Sequence, residues 1–287
     1  AENWPGRYDD QAELDAAVEA TNAAKEHGVQ TIVDPTAMFG GRDVRFMKRV
    51  SDATGVNVVA CTGIYTYDYL PHYFENRDED TIAQHFVDDI ETGVQGTAIK
   101  AAFLKCAADA AGVTEHVEKI HRACARACVQ TGAPIMAHSM PAVNTGPRQV
   151  EIFLEEGVAP EKIQIAHCGD SPDVEYIQGL LDQGVYAGLD RYGLDMFLPI
   201  AQRNEVTAEL LRRGHAERLV ISQDYCATID WFPQEVQDQM LASDLINDWS
   251  FTLVFEQVVP WLREQGVLDD GGFDTVFVQN PARWLGH

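Results

Sequence analysis

The run AAFLKCAAD (101–109) is apolar and strand-like, yet it places a lysine close to its C-terminal end. An ammonium buried without a counter-charge is costly, so a lysine in a core run is paired, neutral or chemically altered. Lys105 therefore needs a partner from elsewhere in the chain. Similar short runs recur on both sides of it: VQTIVDPT (29–36), VNVVACTGI (56–64), PIMAHS (134–139), IQIAHCG (163–169), GVYAGLD (184–190) and RLVISQD (218–224). Near-continuous apolarity marks strands covered on both faces, as in a parallel sheet. Amphipathic stretches such as DVRFMKRVSDAT, TIAQHFVDDIETG and TEHVEKIHRACARACVQTG lie between them, several closing on the glycine that favours a helix C-terminus.

This alternation predicts an α/β fold, a (β/α)8 TIM barrel forming a single domain over residues 1–287 rather than two doubly wound halves. The runs number seven, one short of a closed barrel. Because the opening residues already read as a strand-to-helix connection followed by AELDAAVEATNAAKEHG, the absent strand is expected to be the first, upstream of Ala1.

Composition narrows the function. The 287 residues hold 45 acidic against 21 basic side chains, a formal charge of -24. Such a field repels nucleic acid and anionic membrane surfaces, which leaves a small, neutral or weakly charged substrate. No run approaches the roughly 20 apolar residues of a membrane span, and the first residues lack the basic and apolar regions of a signal peptide, so a cytoplasmic protein is expected. Six scattered cysteines form no paired CxxC clusters for structural zinc; Cys124 and Cys128, at helical spacing, read as buried thiols.

In barrels of this class chemistry gathers at the C-terminal ends of the strands. Those ends carry Lys105, His138, His167, Arg191 and Asp224. One strand-end histidine is usually a hydrogen-bonded structural residue and one such aspartate a helix cap, but five functional side chains on one rim point to a site. Two imidazoles and a carboxylate suit zinc or a neighbouring first-row divalent ion. A desolvated lysine beside metal ions can lose its proton, take up carbon dioxide and become a carbamate, a bidentate anion able to bridge two metals. Lys100 precedes the strand and belongs at the opposite end of the barrel.

The segments TIVDPT, TGIYTY, AAFLKCAAD, AHSMPAVNTG, AHCGD, GLDRYGLD, SQDYCATIDW and NPARW, in this order, resemble the phosphotriesterase-like lactonases of the amidohydrolase superfamily over nearly the whole chain. The resemblance implies two divalent metal ions, zinc or else cobalt, manganese or iron, with Lys105 as the carboxylated bridging ligand. It further implies that His138 and His167 bind the second metal and Asp224 the first. Members of that group draw two more histidines from an HxH motif on strand one, and no such motif occurs here. The implied reaction is attack on a lactone carbonyl by a hydroxide held between the metals, with Asp224 accepting its proton, Tyr65 orienting the substrate and Arg191 anchoring a polar group. A structural ion pair of Arg191 with Asp190 or Asp195 is the competing reading.

The long segment after Asp224 is expected to cover the mouth of the site, with Cys226, Trp231 and Phe197 as an apolar wall for an acyl tail. N-acyl-homoserine lactones are the substrates the resemblance implies, and a homodimer the assembly. Hydrolysis of organophosphate triesters by the same centre is one alternative; a catalytically dead barrel acting as a binding protein is another.

Overall fold

The computed structural model of the protein describes residues 9–229, 233–243, 245–246 and 248–286. Helix α1 (Asp10–Glu26) leads to strand β1 (Thr31–Asp34), followed by α2 (Val44–Thr54), β2 (Asn57–Gly63), the short α3 (His72–Glu75) and α4 (Glu79–Glu91). The order continues with β3 (Phe103–Ala107), α5 (Glu115–Thr131), β4 (Ile135–His138), α6 (Thr145–Glu155), β5 (Ile163–Ala166) and α7 (Val174–Leu181). Strand β6 (Tyr186–Leu189), α8 (Ile200–Arg212), β7 (Leu219–Ile221) and α9 (Gln234–Leu241) come next, and the helical segments Val259–Glu264 and Asn280–Leu285 end the chain.

All seven expected strands form, all pair in parallel, and they lie side by side in chain order. This is the curled sheet of a (β/α)8 TIM-type barrel, each strand crossing to the next through a helix on the outer face. Among the described residues no ladder joins β1 to β7. None of their helices is long and apolar enough to cross a membrane.

Local chemistry explains why the helices start where they do. The side chains of Asp9, Asp43, Asp78, Thr114 and Asp173 each accept backbone N–H groups at the head of α1, α2, α4, α5 and α7, so part of the acidic excess serves as N-caps. Helix α5 stops at Gly132, whose left-handed backbone returns its N–H to Cys128 O.

The period-two pleat sorts each strand between two cores. On β3, Leu104 and Cys106 join Ile120, Ala123 and Cys124 of α5 in the layer between sheet and helices. Phe103 turns the other way, into a cluster with Cys61, Tyr186 and Trp284 against which Val33, Met136 and Val220 pack. Lys105, two residues beyond Phe103, therefore stands on the inner face one step closer to the C-terminal rim. Its neighbour across the ladder is Gly63. Gly63 has φ 120°, and a Cβ there would meet the Lys105 carbonyl oxygen at 2.0 Å, so only glycine lets the two strands pass at this point.

Candidate functional site

Lys105 is 3% exposed, and among the described residues it has no hydrogen bond or ion pair. Burial pushes its ammonium below the usual lysine range, opposed by the more distant carboxylates of Asp224 and Asp190. The lysine is thus shifted toward the neutral amine, the form that is nucleophilic.

His138, the last residue of β4, is 1% exposed. Its Nδ1 lies 2.9 Å from the Tyr65 hydroxyl and its Nε2 2.7 Å from Asp109 Oδ2. Desolvation pushes its pKa down to about 4, despite the stabilising carboxylate, so the ring is neutral near pH 7. His167 follows β5 in a left-handed conformation, φ 66°. The Asp190 Oδ1 atom accepts the His167 backbone N–H at 2.8 Å and is hydrogen-bonded to ring Nδ1 at 2.9 Å. Burial, with Arg191 and His138 adding to it, holds this imidazole neutral as well. The two rings meet edge to face, centroids 4.5 Å apart.

Asp224, after β7, is also left-handed, φ 51°. Left-handed backbone at a non-glycine residue costs energy and recurs at functional sites. Arg191 donates from Nε to Asp224 Oδ2 at 3.2 Å and from Nη1 to Asp170 Oδ2 at 2.9 Å, and its guanidinium lies 4.4 Å from the Phe197 ring centroid. The ion pair of Arg191 is therefore made with Asp170 and Asp224 rather than with Asp190 or Asp195. Asp190 is occupied by His167, and Asp195 Oδ1 accepts the Ile200 N–H at the start of α8.

Tyr65 stands between His138 and Tyr67. Its hydroxyl also lies 2.9 Å from that of Tyr67, and burial raises its pKa well above the ordinary phenol value. Phe197 is 44% exposed and Cys226 is exposed. Trp231 lies outside the described residues. The segment after Asp224 includes α9, and the Met196 N–H donates to Leu245 O at 3.1 Å, tying that segment to the loop after β6.

The donor types fit a divalent metal: two neutral imidazoles, a carboxylate and a lysine amine, all on one inner rim and near enough to influence one another's charge. In this conformation some of their atoms face protein partners. Nδ1 of His138 is bonded to Tyr65 and a carboxylate oxygen of Asp224 to Arg191, and among the described residues no three His, Cys, Asp or Glu side chains converge closely enough to hold an ion.

Sequence reasoning passed over Asp109, Asp170 and Tyr67. Asp170 was open to discovery as a carboxylate three residues after His167, and Tyr67 as the same-face neighbour of Tyr65 in TGIYTY. Asp109 carried no such signal, since it reaches His138 from 29 residues away.

The whole-chain comparison agrees with this architecture. The model of the Phosphotriesterase family matches residues 1–285. An Aryldialkylphosphatase of Saccharolobus solfataricus is 47% identical over 284 residues, covering 99% of this chain and 89% of that protein. A Phosphotriesterase homology protein of Mycobacterium tuberculosis is 38% identical, covering 99% and 87%. The solved structure of the phosphotriesterase from Mycobacterium tuberculosis superimposes with a TM-score of 0.91 at 37% identity, again covering 99% of this chain and 87% of that one.

Proposed function

The chain belongs to the phosphotriesterase family of hydrolases, and from that premise we propose that it is a metal-dependent hydrolase whose preferred substrate is a lactone, N-acyl-homoserine lactones above all. The observation that carries the reading is the rim itself. A buried lysine without a hydrogen-bonding partner among the described residues stands beside two neutral imidazoles and the Asp224 carboxylate. Lys105, as its carbamate, and Asp224 would hold one divalent ion, and Lys105 with His138 and His167 the other. When bound, two such ions supply a hydroxide at neutral pH and polarise the bond under attack.

The chain's own groups do the rest. Asp224 accepts the proton released at attack, and the Arg191 guanidinium 3.2 Å away orients that carboxylate. Arg191 in turn is fixed by Asp170, so its free edge and the Phe197 ring beneath it meet the substrate's polar head from one side. The Tyr65 hydroxyl lies beside His138 Nδ1 here; with that nitrogen engaged by a metal it would be freed to donate to the lactone carbonyl oxygen as charge builds there. A raised phenol pKa suits a group that must donate without ionising.

Hydrolysis of phosphotriesters is the second reading, favoured by the name of the relative that is 47% identical. The two are separated by kcat/KM on metal-loaded enzyme, because that ratio reports differential transition-state stabilisation. We expect an acyl-homoserine lactone to exceed an aryl phosphotriester by at least about tenfold, roughly 1.4 kcal/mol, with Tyr65→Phe narrowing the gap. A preference for the triester would replace the first reading with the second. Asp224→Asn keeps the shape of the side chain and removes the proton acceptor. It should lower lactone kcat by about 10²–10⁴-fold, and near-native turnover with metal still bound would exclude Asp224 from the chemistry.

A further inference from the structure

Asp109 is anchored before it meets His138. One of its carboxylate oxygens accepts the Ala110 N–H at 2.7 Å, its carbonyl accepts the Gly112 N–H at 2.7 Å to close a tight turn, and the other carboxylate oxygen lies 2.7 Å from His138 Nε2. The histidine is held from behind as well, since the Gln149 side-chain amide donates to His138 O at 2.9 Å. Two rigid pieces of chain thus meet through one short hydrogen bond.

That bond has a direction. An ionised carboxylate only accepts, so the proton of a neutral imidazole facing it must sit on Nε2. Nδ1 is then left with its lone pair, which receives the Tyr65 O–H at 2.9 Å. His167 is arranged the other way round, Nδ1 turned to Asp190 and Nε2 left over. Neighbouring imidazoles therefore present different nitrogens to the same space.

We infer that Asp109 is the positioning residue of His138: by accepting Nε2–H it fixes the imidazole in a single tautomer and assigns Nδ1 as the nitrogen offered to a metal. The inference rests on the reading of His138 as a metal ligand and adds what selects the ligating atom. A carboxylate behind a ligating histidine raises its basicity and fixes its orientation, and removing such a partner commonly costs about 10–100-fold in metal affinity. In this reading Asp109 acts through His138, its hydrogen-bonded partner at the rim.

The test begins with metal-free full-length protein labelled at its histidine nitrogens. Nitrogen NMR reads the tautomer, and His138→Gln identifies the signal. Wild-type His138 should be the Nε2–H form. Asp109→Ala should lose that preference, while Asp109→Asn, whose carboxamide oxygen still accepts, should retain it. Competition of Zn²⁺ against a chelating dye should show affinity lowered about 10–100-fold in the alanine variant and by less in the asparagine variant. Asp109 is a quarter exposed on its side chain, and Asp109→Ser, too short to reach Nε2, makes the same comparison if the alanine variant does not fold. An alanine or serine variant that keeps the wild-type tautomer, or that loses it with unchanged zinc affinity, would overturn the inference. Wild-type protein that binds no zinc would instead overturn the metal reading, and the nitrogen spectrum would still decide the role of Asp109.

Discussion

Arg203 and Lys105 are both sealed cations, 2% and 3% exposed, and the protein treats them in opposite ways. Arg203 on α8 spends every nitrogen. Its Nε donates to Leu198 O at 2.8 Å, Nη1 to Gly169 O at 2.7 Å, and Nη2 to Asp170 Oδ1 at 2.7 Å and Leu194 O at 3.4 Å. Lys105 has no such partner among the described residues, only longer-range attraction led by Asp224 and Asp190. A buried charge that serves structure is compensated on the spot, because desolvation otherwise costs several kcal/mol. One left uncompensated on the inner face of a barrel strand is held at a cost that the folded chain alone does not recover, and that cost suggests a bound group.

Removing the charges in turn should break this comparison most severely at Arg203. Arg203→Met leaves Asp170 Oδ1 and the carbonyls of Leu198 and Gly169 without this donor, and breaking a buried pair from one side costs about 3–5 kcal/mol. In chemical denaturation of metal-free protein this variant should lose that much stability. Lactone turnover should fall too, because Asp170 also steadies Arg191. Unchanged stability would mean that Arg203 is no better compensated than Lys105.

Much of this contrast could be read in the chain, for definite reasons. His138, His167 and Asp224 each close a short apolar run and Lys105 stands two residues before the end of β3, and a strand end in an alternating β/α chain has a fixed place in space. The direction of Lys105 followed from the same pleat, since Phe103 two residues earlier faces the barrel interior. Hydrogen-bond partners were less legible. Arg191 has Asp190 and Asp195 close by along the chain, but the acids it takes, Asp170 and Asp224, are 21 and 33 residues away and reach it only through the fold of the loops after β5 and β7. Asp109 in AAFLKCAAD read as the end of a strand, and its role exists only because a tight turn aims it back at β4.

Lys105→Met sharpens the comparison in the opposite sense and by less. A thioether of similar length fills the inner face without a charge, and replacing a poorly compensated buried ion by an apolar side chain stabilises by about 1–3 kcal/mol. Metal-free Lys105→Met should therefore resist denaturant better than wild type while binding no metal pair. In wild type, native mass spectrometry in bicarbonate with Zn²⁺ should reveal a carbon dioxide adduct that the variant lacks. A destabilised variant would show that Lys105 is compensated in the metal-free fold, and the argument from its cost would fail.

Arg122 supplies the third and mildest case, a cation that shares its charge with solvent. On the outer face of α5 it donates to Glu118 at 2.6 Å, Glu155 at 2.7 Å and Glu156 at 2.9 Å, with its side chain 22% exposed. Its hydrogen bonds lead in holding Glu118 and Glu155 below the usual glutamate range, while Arg126 leads for Glu156. The sign follows from proton binding. Just below the ordinary value of 4.5 the unfolded chain binds more protons at these carboxylates than the folded one, so their contribution is complete above that pH and is lost as pH falls through the lower folded-state values. Arg122→Ala should lower Tm by no more than about 3 °C at neutral pH, because exposed ion pairs contribute little. That gap should close as the solution is acidified below 4.5 and shrink in high salt, where screening weakens pairs that water can reach. The Arg203→Met deficit should change little with salt, since its partners are buried. A Tm gap for Arg122→Ala that is large and indifferent to pH would place it with Arg203, and solvent access would then not be what separates the two arginines.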